Sequence, residues 1–135
     1  MNKMNRKLEY SLMAIKHMSQ KPVGALTTAK EVSDTYHAPF DATARVMQQM
    51  AQKGYLKSEQ GAFGGYQLSS DLSQLTLFDL LQLVQGDTQI AKCMVKDEPC
   101  DIKGHCNIVS PIQGLNKRID EFYKSLTLKD LLATK

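Results

Sequence analysis

The sequence predicts a mainly α-helical chain that carries one small β-hairpin. Three observations lead there. Apolar residues recur at three- and four-residue steps through much of the chain, and a glycine-rich turn separates two short half-apolar runs. A last, longer stripe near the C-terminus repeats in alternating fours and threes. Taken in order, Leu8, Leu12, Ile15 and Met18 mark a first helix that should end near Lys21 and Pro22. A second helix opens at Thr28, with Thr28 and Glu31 as the two ends of a capping box, and stops before His37 and Pro39. A third follows at once, buries Val46, Met47 and Met50, and closes at Lys53 and Gly54. Two helices joined by a tight turn behind a supporting helix form a helix-turn-helix. Residues 55–58 and 66–68 flank Gly61, Gly64 and Gly65 as a β-hairpin, which in that position reads as a wing.

The remaining elements rest on caps. Thr76 with Asp79, and Thr127 with Asp130, each place an N-cap threonine three residues before an acid at the head of an apolar helix. The first of these helices ends at Gly86, and the polar stretch from there to Cys106 reads as loop. Ser110, Pro111 and Gln113 then give an N-cap, a proline at the first helical position and a glutamine at the third. Behind them Ile108, Ile112, Leu115, Ile119, Phe122 and Leu126 follow the spacing of a coiled-coil seam. Packing within one domain accepts the same stripe, but a separate long helix on a small domain favours dimerisation through Ile112, Leu115, Ile119 and Phe122. The expected architecture is a winged helix-turn-helix over 1–87, a cysteine-containing loop over 88–107, and a dimerisation helix with a C-terminal tail over 108–135. These would form one compact unit per subunit.

Composition narrows the class. At 135 residues, 42% apolar and 23% charged, the chain suits a globular domain able to bury a core without disulfide staples. No apolar run approaches the length of a membrane span, and the basic N-terminus lacks a signal peptide's apolar segment, so a cytoplasmic, non-membrane protein is expected. Residues 1–60 hold nine basic and five acidic residues, whereas residues 61–135 hold eight and nine. The basic excess therefore lies wholly in the first half, which suits a front half that faces a polyanion.

With Val46, Met47 and Met50 buried, helical geometry places Asp41, Arg45, Gln48 and Gln52 on the opposite face of the third helix. Arginine pairs with guanine and glutamine with adenine, so this surface has the chemistry to read a major groove; a solvated face is the other reading. The hairpin tip adds Gln60, with Lys57 nearby for phosphate. Thr28 caps a helix whose free N–H groups also suit a phosphate.

All three cysteines, Cys93, Cys100 and Cys106, fall within one short segment. An odd set argues against a disulfide framework and for a metal, a cofactor or reactive thiols. Zinc sites pair their cysteines at closer spacing. An iron–sulfur cluster wants four ligands, so the segment is one short, leaving His105, a residue elsewhere or a second subunit to complete it. Three unligated thiols are the remaining reading. A thiol enzyme would need a nucleophile–base pair, and His105 beside Cys106 is the sole hint of one, so no enzyme is expected.

These residues, taken together in order, resemble the Rrf-two (NsrR/IscR) family of bacterial winged-helix transcription regulators along nearly the whole chain. The carriers are residues 8–12, 54–58, 61–66 and 76–79, the three cysteines, and residues 127–131. Within the family the sequence is most similar to the nitric-oxide-sensing NsrR branch, through Glu98 to Cys100, Gly104 to Cys106 and the run from Phe122 to Asp130. That resemblance implies a [4Fe-4S] cluster on Cys93, Cys100 and Cys106, with a carboxylate from the first helix of the partner subunit as fourth ligand. Glu9 stands at that position, where the branch often has the shorter aspartate. The IscR branch places a ligand histidine three residues after its last cysteine; Val109 is there, which favours [4Fe-4S] over [2Fe-2S]. The first cysteine gap is one residue longer than is common, and Gln60 replaces a wing arginine. The function so implied is a homodimeric regulator, in the repressor sense, that grips a palindromic double-stranded operator and senses nitric oxide or redox state. The alternative is a cluster-free winged-helix regulator that responds through thiol oxidation or a small ligand.

Overall fold

Amphipathic stripes need partner surfaces, and the first three helices supply them to one another. The computed structural model describes residues 4–86, 90 and 100–133. Helix α1 (Arg6–Ser19) is capped by Asn5, whose side chain accepts from the Lys7 N–H at 2.7 Å. It turns Leu8, Ala14, Ile15 and Met18 inward. Helix α2 (Ala29–Tyr36) ends at His37, which takes the left-handed conformation (φ 58°), and α3 (Phe40–Gln52) starts directly after Pro39. Val46, Met47 and Met50 are fully buried, as the stripe requires. Gly54, at φ 90°, then turns the chain into the hairpin.

The wing is an antiparallel pair of β1 (Leu56–Glu59) and β2 (Gly65–Leu68), with Leu56 opposite Leu68 and Glu59 opposite Gly65. Thr27 adds a bridge along the far edge, exchanging two hydrogen bonds of 2.8 Å with Tyr66. The connection before α2 is thereby tied to the wing. Gly65 suits this close approach, since a Cβ there would stand 3.0 Å from the Thr27 carbonyl oxygen.

Helix α4 (Leu77–Gln85) begins with a complete capping box: Thr76 Oγ1 accepts from the Asp79 N–H at 3.2 Å, and Asp79 Oδ2 accepts from the Thr76 N–H at 3.0 Å. Helix α5 (Val109–Ser125) packs on α4, where Lys124 Nζ lies 4.6 Å over the Phe78 ring. Helix α6 (Leu128–Leu132) then returns to the stretch that leads into α4. The Leu77 N–H donates to Leu126 O at 2.9 Å and the Leu128 N–H donates to Leu75 O at 2.8 Å. Leu128 is buried in the same core as Leu8, Ile15, Met47 and Leu80. The tail therefore helps to close the core that the helix-turn-helix begins.

Four expectations are revised. The capping box on α2 is half made: Thr28 Oγ1 accepts from the Glu31 N–H at 3.0 Å, but the Glu31 carboxylate turns to His17 and Lys21. Helix α5 starts at Val109 with Ile108 in the cap position and no side-chain cap, so Ser110 and Pro111 lie inside its first turn. First-turn N–H groups have no partner within a helix, so proline fits there without losing a bond. The stripe on α5 also splits, because Leu126 packs on the core while Ile108, Leu115 and Phe122 face outward. Finally, residues 103–105 of the expected loop form one turn of 3-10 helix. The rest of that loop, residues 87–89 and 91–99, lies outside the described residues.

Candidate functional site

The outer face of α3, the candidate reading face, is set by burial on its reverse. Because α3 commits Thr43, Val46, Met47 and Met50 to the interior, Asp41, Arg45, Gln48 and Gln52 all stand exposed on the outer surface. Their chemistry matches base edges: a five-donor guanidinium, two amides that donate and accept together, and a carboxylate that accepts from cytosine. Thr28, Lys57 and Gln60 are exposed as well. The Lys57 ammonium faces Glu59 at 3.7 Å, and Gln67 Nε2 donates to the same Glu59 oxygen at 3.4 Å. The one carboxylate of the wing strands is thus neutralised beside a surface suited to phosphate.

A polar clasp that the sequence reading did not identify fixes α2 against α1. His17 Nε2 lies 2.5 Å from Glu31 Oε2, and His17 Nδ1 lies 2.7 Å from Tyr36 Oη. A carboxylate can only accept, so Nε2 carries the proton, and in the neutral ring Nδ1 accepts from the tyrosine hydroxyl. Lys21 adds its ammonium to Glu31 at 2.7 Å and donates to Leu26 O and Thr27 Oγ1 at 2.9 Å each. The His17 contact above all, followed by Lys21, holds the Glu31 carboxyl below its ordinary value. The sequence signal was weak, because the four residues are up to 19 positions apart and the one local motif among them, the Thr28/Glu31 cap, points Glu31 to a different partner.

The second candidate site is the cysteine segment between α4 and α5. Cys100 and Cys106 are free thiols and half-buried, while Cys93 lies outside the described residues. His105 is exposed in the 3-10 turn. Glu9 lies in the first turn of α1, where Oε2 accepts from Arg6 Nη1 at 2.9 Å. Among the described residues no three histidine, cysteine or acidic side chains come together. Two soft, unbridged sulfur donors on one short segment do fit iron, and Cys93 would bring a third. The segment is anchored to α5 by Asn116, buried at mid-helix, whose Oδ1 accepts from the Ile90 N–H at 3.0 Å. On the outer side of α5, Leu115 and Phe122 are exposed, and Ile112 and Ile119 are half-buried.

A helix-turn-helix whose second helix presents arginine and glutamines, followed by a two-stranded wing, defines a winged-helix DNA-binding protein. The family model described as Rrf2, iron-dependent transcriptional regulator, matches residues 4–134, and the chain belongs to that family. It is a transcriptional regulator and not an enzyme. The HTH-type transcriptional regulator NsrR of Bacillus subtilis is 23% identical over 140 residues, covering 98% of this chain and 92% of that protein. Among solved structures, CymR (YrzC), the global cysteine regulator of B. subtilis, superposes with a TM-score of 0.75 at 23% identity. That match covers 100% of this chain and 99% of CymR. IscR of T. potens superposes with a TM-score of 0.65 at 21% identity, covering 97% and 86% respectively. At these identities the likeness is one of fold. No described helix is long and apolar enough to cross a membrane.

Proposed function

We propose that the chain is a homodimeric repressor whose grip on a palindromic operator is governed by an iron–sulfur cluster that senses nitric oxide or redox state. The observation that carries this reading is the confinement of Cys93, Cys100 and Cys106 to the segment between the winged domain and α5, in a chain of an iron-dependent family. Cys93, Cys100 and Cys106 would hold a [4Fe-4S] cluster, with Glu9 of the partner subunit as fourth ligand. Such a cluster supplies a centre that reacts with nitric oxide and oxidants.

The chain's own residues do the rest. Arg45, Gln48 and Gln52 read base edges with Asp41, and Thr28, Lys57 and Gln60 fix the register on the backbone and at the wing. Residues 1–87 thus form the reading unit, 88–107 the sensor segment and 108–135 the dimer seam and tail. One link joins the sensor to the reader and a second joins it to the seam. Glu9 and His17 lie on the same helix, about 12 Å apart at 1.5 Å per residue. His17 clasps Glu31 at the start of α2, so any shift of α1 moves the helix-turn-helix with it. The second link is Asn116, which ties the chain after α4 to the seam helix.

The test is an anaerobic purification followed by a visible spectrum with iron and sulfide counts, on the wild type and on the Cys93→Ser, Cys100→Ser and Cys106→Ser variants. We expect coloured wild-type protein with about four iron and four sulfide per subunit for a cubane cluster, and loss of colour in each variant. Wild-type protein that stays colourless after reconstitution, with the variants indistinguishable from it, refutes the cluster and leaves the thiol-oxidation reading.

A further inference from the structure

The wing tip carries a side chain that the fold does not use. The Gly64 N–H donates to Gly61 O at 3.0 Å, closing a four-residue turn whose two corners are Ala62 and Phe63. Turn corners are ordinarily filled by glycine, asparagine, aspartate, serine or proline, for reasons of backbone geometry and local hydrogen bonding. Here one corner is a phenylalanine that is 93% exposed. A Cβ on Gly64 would stand 2.5 Å from the Glu59 carbonyl oxygen, so the tip is folded tightly on its own backbone. Across a cleft of about 430 Å³, lined by Gly24, Leu26, Glu59, Gln60, Phe63 and Gln67 among others, runs the connection before α2, where Val23 is also fully exposed.

We infer that Phe63 is an apolar wedge that enters a base step of the operator's minor groove, so that the wing reads DNA deformability rather than base identity. The inference rests on the DNA-binding reading above and adds a specificity determinant to it. Residues 60–65 carry no charge, so the tip has nothing with which to clamp a phosphate. On the strand below, Lys57 is exposed and pairs with Glu59 at 3.7 Å, a weak exposed contact that an incoming phosphate can displace. A neutral, aromatic end on a phosphate-compatible stem is the chemistry of side chains that partly unstack a step and kink the duplex. Continuity with the reading face favours DNA as the occupant. Helix α3 packs on β1 and runs into it through the Gly54 turn, so the wing flanks the surface that bears Arg45 and Gln52. Pyrimidine–purine steps, which unstack most easily, are the expected targets.

The experiment uses the full-length protein, purified anaerobically, and duplexes that the wild type selects from a randomised DNA pool. Phe63→Ala, Phe63→Leu and Arg45→Ala are compared by equilibrium binding, and 2-aminopurine is scanned along the selected duplex. We expect wild-type binding to raise the 2-aminopurine signal at one pyrimidine–purine step. Phe63→Ala should abolish that rise and weaken binding roughly tenfold, while Phe63→Leu keeps most of both. Arg45→Ala should weaken binding and keep the rise. Equal affinity and an equal 2-aminopurine rise for Phe63→Ala overturn the wedge while leaving the α3 reading face standing. A wild type that enriches no duplex overturns the DNA reading and the wedge together. A lower oligomeric mass for Phe63→Ala overturns the wedge in favour of a contact between copies of the chain.

Discussion

At the scale of single residues, Glu31 holds α2 to α1 through His17 and Lys21, and its carboxyl lies below the ordinary value of 4.5 mainly because of the His17 hydrogen bond. A carboxyl with a depressed folded pKa stabilises the fold fully above its unfolded value, and that contribution is lost as the pH falls through the folded one. The glutamine variant Glu31→Gln should therefore melt below the wild type near neutral pH. The gap should narrow as the pH drops below about 4.5, and thermal unfolding across the acid range measures it. A gap that is constant with pH would mean that the carboxylate charge is irrelevant to the clasp. The same residue shows what sequence reasoning missed. Thr28 and Glu31 have the spacing of a reciprocal cap, but the His17 ring of α1 and the Lys21 ammonium just after it take the carboxylate in place of the backbone N–H. A local motif does not carry that competition.

At the scale of elements, the caps were legible because their signal is local. Thr76 and Thr127 both accept from the N–H three residues on, as the Thr-x-x-Asp spacing requires. Val46, Met47 and Met50 were legible for the same reason, since a 3.6-residue period leaves one inward face. The start of α5 was not, because a serine and a proline fit more than one position in a first turn. Thr76 offers the cleanest check. Its hydroxyl and the Asp79 carboxylate each satisfy a backbone N–H at the head of α4. Replacing Thr76 with alanine should cost about 1 kcal/mol, measured by urea unfolding with the slope unchanged. A loss below about 0.3 kcal/mol would show that the helix start is set by packing alone.

At the scale of the whole molecule, the C-terminal stripe serves two surfaces. Leu126 and Leu128 close the core of their own chain, whereas Leu115 and Phe122 remain outward, at 47% and 60% exposure. Sequence spacing could not separate these roles, since both use every third or fourth residue; only the return of α6 to Leu75 divides them. The paired substitution Leu115→Glu with Phe122→Glu should halve the solution mass and leave thermal stability of the subunit nearly unchanged. It should also weaken binding to a two-half-site duplex far more than to a single half-site, because the second contact is no longer tethered to the first. A double variant that keeps the wild-type mass would place the dimer contact elsewhere. The proposed sensor segment shows in the sequence only as three sulfur donors near one another. The proposed fourth donor, Glu9, precedes Cys93 by 84 positions and would come from another copy of the chain.

The most direct measurement is operator affinity on one anaerobic sample, titrated before and after stoichiometric nitric oxide, with iron and sulfide counted on the same protein. Tight binding by cluster-loaded protein, lost by at least tenfold after nitric oxide, an order-of-magnitude coupling typical of linked sites, is the expected result. Equal affinity before and after, on protein shown to carry the cluster, would contradict a cluster-governed regulator.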